Sequence, residues 1–291
     1  MLKNSSFKRM IISSLVLFFT FCLYKFPKNY GYVIEDENVS SNQVYLIDAN
    51  NYVSLVNVSC KSYNDKVRDV FEGLVNPGCL PIGFKSYLNG DTKLLNYSID
   101  EGLLKLNFSK EFLDIETGYE ESMLEMVIYS FVSIPDIESI MIFVEGNVLD
   151  KLPNSNKKIP LILDKSFGVN KVVDLTTLNN NVSFNVYYLA KNESYYYVPV
   201  TYVINKNDDI AQMIIRKLKS NRISSSLLTH IDDSIEMVDY KLEEDSMELV
   251  FNNDLKNIMF DGIMDEEVKY ILTASFKDSF GVENVNISFT S

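Results

Sequence analysis

At 291 residues the chain has room for one large domain or two small ones, and 46% hydrophobic residues, with 18 Tyr and 18 Phe, supply real cores. Forty acidic against 27 basic side chains leave a net charge of −13, and no Lys/Arg stripe offsets it. That field repels phosphate backbones, which excludes nucleic acid as a partner.

Residues 1–9 carry Lys3, Lys8 and Arg9; an uncharged run from Ile11 to Tyr24 follows, before Lys25 and Lys28. The run falls just under the roughly 17–25 residues of a spanning helix. Three readings export the rest of the chain: an uncleaved signal anchor over 10–26, a cleaved signal, and a lipoprotein lipidated on Cys22. The run ends in Phe, Cys, Leu and Tyr rather than in small residues, and Phe21 is large for a lipidation site. These flanks favour the anchor, with residues 1–9 as a cytoplasmic tail. Residues 28–42 are polar, acidic and aperiodic, and read as a tether.

Two β-branched and aromatic runs, Gln43–Asp48 and Tyr52–Ser59, have the signature of a hairpin. Tyr63–Leu74 places Val67, Val70, Phe71 and Leu74 at helical spacing behind a cap at Asn64, and Pro77 and Gly78 stop it. A second hairpin, Thr92–Ile99 with Leu103–Phe108, turns at Asp100-Glu101-Gly102. Glu120–Ser133 is a helix with Met123, Met126, Val127, Ser130 and Phe131 on its stripe, and Ile137–Gly146 is a closing strand. Cys60 and Cys79 lie on the exported side, and their spacing leaves a disulfide and two free thiols equally open.

The same order then returns. Asn185–Val203 is a hairpin over Lys191-Asn192-Glu193, and Asp208–Leu218 is a helix. Ile235–Leu242 and Ser246–Phe251 form a hairpin, Asp265–Phe280 a helix and Val282–Ser291 a strand. Tyr97 falls on Tyr240 and Phe108 on Phe251, a spacing of 143 residues, far beyond the roughly 20–50 of solenoid repeats. The fold class expected is therefore α+β, with two tandem two-layer domains behind a transmembrane helix. Each would be an antiparallel-rich mixed sheet with two helices on one face. The first spans 43–165 and the second 184–291, joined by a linker over 166–183. Cuts within Asp150–Lys158 or Thr176–Asn181 are expected to leave folded parts.

The order of elements, with "GDTKLL", "LLKLNFSKEF" and "IESIMIFVEGN", resembles the GerM domain of spore-forming bacteria. Gly90, Thr92, Phe108, Ser109, Phe112, Glu121 and Gly146 sit where that pattern wants them. The second copy departs from it at Asp233-Ser234 and at the terminal Ser291. The resemblance implies an extracytoplasmic, membrane-anchored protein of sporulation or germination, kin to ring-building modules of a channel between two cells.

Residues for chemistry are few. His230 is the single His, so Ser/His/Asp, Cys/His and multi-His zinc sites fail on arithmetic. The acidic groups at Leu242–Ser246 and Asp265–Glu267 lack EF-hand spacing. No catalytic, cofactor or metal residues are assigned. The expected function is non-enzymatic assembly with other extracytoplasmic or membrane proteins, Glu121 and Glu267 facing the partner. The alternative is a peptidoglycan-binding module that presents the aromatic strand Ser194–Tyr202 to glycan.

Overall fold

The computed structural model describes residues 39–290 apart from 178, 207–208, 221–222, 261–262 and 265. The expected tail, anchor, Cys22 and residues 28–38 of the tether lie outside the described residues. No helix among the described residues is long and apolar enough to cross a membrane.

The first half runs β1 (Val39–Ile47), β2 (Val53–Lys61), α1 (Lys66–Val75), β3 (Leu94–Asp100), β4 (Leu103–Phe108), α2 (Glu120–Val132), β5 (Ser139–Val144) and the short β6 (Asn147–Val148). A connecting strand β7 (Val172–Asp174) follows. The second half runs β8 (Asn181–Lys191), β9 (Tyr195–Asn205), α3 (Ile210–Lys219), β10 (Met237–Leu242), β11 (Ser246–Phe251), the pair β12 (Met259–Phe260) and β13 (Ile263–Met264), α4 (Glu266–Phe280) and β14 (Asn284–Phe289). The fold is α+β with four helices among the described residues.

Most expected elements form, with local shifts. Asp65, not Asn64, caps α1, its carboxylate accepting from the N–H groups of Val67 and Arg68. Asn64 precedes it at φ 54°, a left-handed turn that Asn tolerates. The β3–β4 turn puts Glu101 and Gly102 both at positive φ, as a two-residue hairpin turn requires. The last residues of the expected tether, 39–42, begin β1.

The sheets differ from expectation. In each half the first hairpin does not pair with the later strands. β3-β4-β5-β6 and β10-β11-β14 are separate outer sheets, each with a parallel pair, β4 with β5 and β11 with β14. The first hairpins instead pair with each other, β2 beside β9, in a central five-stranded sheet with β1, β7 and β8.

The helices touch central and outer sheets alike. α2 touches β1, β2 and β5, while α1 touches β1 and β2 and stacks Phe71 on Phe108 of β4. Every residue of α2 from Met123 to Phe131 is buried. A helix apolar nearly all round needs an apolar wall on each side, which one sheet cannot supply. The single stripe expected of it was too narrow.

The repeat extends to backbone detail. A bulge at Leu95 is matched by one at Val238, 143 residues on. An Asx turn, in which the Asp91 N–H donates to Asn89 Oδ1, is matched by the Ser234 N–H on Asp232 Oδ1. The Tyr97 hydroxyl donates to the α1 cap Asp65 at 2.7 Å, and the Tyr240 hydroxyl to the α3 cap Asp209 at 3.3 Å.

The expected linker is built into the fold. β7 pairs with β9, Val169 is fully buried, and Thr176 donates to Asn205. Asn154, inside the other expected cut, is held by the Glu120 carboxylate. Ile140 and Leu163 exchange backbone hydrogen bonds, which bridges the segment 159–164 to the first outer sheet.

Candidate functional site

β2 and β9 meet at one antiparallel pair, Leu55 with Tyr197. These two residues are each other's equivalents, since β1 to β8 and β2 to β9 repeat with the same step of 142 residues. An antiparallel contact of a residue with its own equivalent is the mark of a two-fold axis. The joint is isologous, inside one chain.

Around this axis lies a polar seam. The Tyr187 hydroxyl donates to Asp278 Oδ2 at 2.5 Å, and Lys165 Nζ donates to Asp278 Oδ1 at 2.7 Å. Tyr129 packs edge-on to Tyr45 and donates its hydroxyl to the Lys165 carbonyl. Burial pushes the phenols of Tyr45 and Tyr187 well above their usual range, and the Asp278 charge adds to it. These phenols keep their protons and both Asp278 oxygens are engaged. The seam ties β8, α4 and the segment at Lys165 together.

Asn170 joins the strands directly. Its side chain accepts from the Val53 N–H at 2.9 Å and donates to the carbonyls of Val53 and Pro199. Beside it, Lys171 Nζ bridges Glu121 Oε1 at 2.8 Å and Glu125 Oε1 at 2.6 Å. Burial raises the Glu125 pKa, against the opposing pull of Lys171. Glu121 also holds Lys157, so the residue expected to face a partner binds within the chain. Glu267 is half-buried on α4.

Other expected residues sit as follows. Cys60 and Cys79 form a disulfide with Cα atoms 5.3 Å apart, a pairing the spacing had left open. His230 is exposed at φ 56°, edge-on to Tyr195. The aromatic strand is largely consumed by packing. Tyr196 gives its hydroxyl to Asp48, Tyr197 stacks on Tyr270 and Tyr202 on Phe184. Among the described residues no three or more of His, Cys, Asp and Glu cluster as a metal site would.

The sheet edges separate into closed and open ones. On β1 the Tyr45 N–H donates to Ser130 Oγ of α2, and Ile47 exchanges backbone hydrogen bonds with Lys85. On β8 the equivalents are Tyr187 with Ser275 and Leu189 with Leu228. β3 and β10 end their sheets with no backbone bridge or helix serine against them among the described residues; Gln212 Nε2 of α3 donates to the Met237 carbonyl at the start of β10 at 3.3 Å. β3 exposes Leu95 (44%) and Ile99 (52%); β10 exposes Val238 (55%) and Leu242 (50%) at the matching positions. The sequence carried a signal for this: "LLNYSI" and "MVDYKL" place apolar residues at both parities of their strands.

Residues 42–150 match the family model Germane, described as sporulation and spore germination. The tandem GerMN domains of the sporulation protein GerM from Bacillus subtilis superpose with a TM-score of 0.76 at 26% identity, covering 87% of this chain and 92% of that one. This chain is GerM-like, with its domains in tandem. The first GerMN domain of the same protein, solved alone, matches at 26% identity and a TM-score of 0.40, covering 44% of this chain and 98% of that one. No curated protein sequence matches the chain. Within the GerM-like pattern, Phe108 and Phe112 stack at 4.7 Å in the core and Gly146 turns at φ 78°, so these positions serve the fold.

Proposed function

We propose that this tandem GerM-like protein is a non-enzymatic assembly protein of sporulation or germination, held to the outer side of a membrane by residues 10–26. Its partners are other extracytoplasmic or membrane proteins, and its domains span 43–165 and 184–291. The observation that carries the reading is the contrast among edges. The central sheet closes β1 and β8 by backbone bridges and helix serines, whereas β3 and β10 keep exposed aliphatics at equivalent positions on their outer sides. Proteins cover such edges or use them.

Sedimentation of the protein with candidate spore-channel proteins tests the reading. The double variant Ile99→Lys, Leu242→Lys should lose the complex while its melting temperature is held. Complex formation unchanged by charges on both edges would sink it.

A glycan-binding reading keeps one observation in its favour. Tyr87 and Tyr119 stack at 4.7 Å beside Lys85 and Asn51, next to a hollow of about 380 Å³ that Asp114 and Glu116 also line. Retention on purified peptidoglycan, lost in Tyr119→Ala, would favour it over assembly.

A further inference from the structure

The two-fold joint is filled unequally on its two sides. Beyond Tyr197, the edge of β9 is continued by the chain itself. The Thr201 N–H donates to the Val169 carbonyl, the Val169 N–H to Thr201 Oγ1 at 2.8 Å, and β7 pairs in parallel with Tyr202–Ile204. Asn170 plugs the fork between Val53 and Pro199.

The axis that relates Leu55 to Tyr197 relates Val53 to Tyr195 and Pro199 to Asn57. The strands part there too, because Leu55 with Tyr197 is their one pair. On that side no strand of the described residues enters. What is left is a cleft of about 150 Å³, lined by Asn57, Tyr195, Tyr197, Phe84, Ile82 and Asn192. A donor–acceptor contact from Asn192 Nδ2 to the Ile82 carbonyl, 2.7 Å, braces its rim. Odd-numbered residues of β2 turn their backbone toward β9, as Val53 does to Asn170 and Leu55 to Tyr197. Asn57, Ser59 and Lys61 continue that series, and all three side chains are exposed.

We propose that this cleft and the β2 edge from Asn57 to Lys61 bind an extended segment of a partner protein. The segment would add in parallel to β2 as β7 adds to β9. An amide side chain would sit between Asn57 and Tyr195 as Asn170 sits between Pro199 and Val53. The internal precedent sets the chemistry: a bridging Asn flanked by β-branched residues, as in Val169-Asn170-Lys171-Val172-Val173. The volume suits it, since a cavity of roughly 150 Å³ holds one benzene-sized group. Backbone pairing would supply the affinity and the seated side chain the selectivity. The inference rests on the assembly reading for its partner but not for its chemistry.

The probe is a synthetic peptide of the chain's own Gly168–Thr176, added to the full-length protein and followed by hydrogen-exchange mass spectrometry. Exchange across Asn57–Lys61 should slow by about tenfold or more, saturably. The peptide with Asn170→Ala should lose most of that protection. In the protein, Ser59→Pro removes an N–H that points away from β1 and should abolish binding; if it does not fold, Lys61→Pro reads the same edge. Unchanged exchange across Asn57–Lys61, or protection on β3 or β10 instead, overturns the proposal. Protection that grows with protein concentration and without peptide assigns the cleft to a second copy, which overturns the partner. Peptide binding lost while capture through β3 and β10 persists removes the cleft alone; the reverse outcome removes the assembly reading alone.

Discussion

The two halves share a chain path and backbone details but are stapled differently. In the first, the Cys60–Cys79 disulfide ties the end of β2 to the turn after α1. In the second, Tyr202 stands at the position of Cys60, one step of 142 residues on. It stacks on Phe184 at 5.5 Å, shares a 2.7 Å hydrogen bond with the Tyr188 hydroxyl, and lies under Lys217 Nζ. Burial pushes the Tyr202 phenol up to about 12, so it remains a neutral partner. The helices differ as well: α2 is buried over an unbroken run, whereas α4 buries Val268, Ile271, Leu272, Ser275 and Phe276 along one stripe. What both halves keep is the backbone: the Asx turn, the bulge, the capping Tyr–Asp pair and the serine that closes the first strand. The fold is specified by turns and edge closures, and the means of fastening them is free to change.

The largest expected effect lies in the staple that only one half has. Breaking a cross-link over a loop of this size costs about 3 kcal/mol. Cys60→Ser with Cys79→Ser should lower the unfolding free energy measured in urea by that amount. Exchange should rise first in β2 and in residues 76–85, with β8 and the α3 helix following later. Equal loosening of both halves would show that the joint, not the staple, sets local stability.

Next comes the shared element. Asn170→Ala strands the Val53 N–H and two carbonyls at the joint, and one unsatisfied polar group costs roughly 1–3 kcal/mol. The halves should then unfold as separate transitions in calorimetry. A single unchanged transition would mean that the Tyr45–Tyr187–Asp278 seam alone holds them.

The capping tyrosines sharpen the comparison further. Tyr97→Phe should cost about 1 kcal/mol and Tyr240→Phe a few tenths, since the first bond is 2.7 Å and the second 3.3 Å. Equal losses in thermal melts would remove that distinction.

Acid should loosen the first half before the second. Burial works to raise the pKa of Glu121, but its bonds to Lys171 and Lys157 outweigh this and lower it. A lowered carboxylate contributes stability that is present above its unfolded value of 4.5 and lost as pH falls through the folded pKa. Glu121→Gln should therefore flatten the stability–pH curve below about pH 4.5. A curve of unchanged slope there would assign the acid response to other carboxylates.

The smallest effect is expected at Thr92, whose hydroxyl is buried without a hydrogen bond and whose equivalent is the buried Ile235. Thr92→Val should be neutral or stabilising by up to about 1 kcal/mol. A loss of more than that would mean that this hydroxyl has a bound water or ligand as its partner.

Turn residues and hydrophobic period in the sequence specify the longer elements, their order and the repeat, while the short strands β6, β7, β12 and β13 carry no such signal. Hairpin turns such as Glu101-Gly102 are local and legible in a window of a few residues, whereas the α1 cap fell one residue away from the Asn64 that the sequence suggested, at Asp65. The GerM-like pattern was legible for the same reason, being made of turns and core aromatics. Only the tertiary structure decided which strands pair. β2 and β9 are β-branched and aromatic runs equally able to join their own outer sheets, and nothing in either run names its partner. The pairing of Leu55 with Tyr197, the Cys60–Cys79 bond and the seat of Asn170 all depend on groups brought together from distant positions. In the first half α2 packs between the hairpin and β5, and the two hairpins meet each other through β2 and β9. That pairing made the joint, while serines and short bridges within each half close β1 and β8, and β3, β10 and the cleft beside Asn57 are left as the more open surfaces.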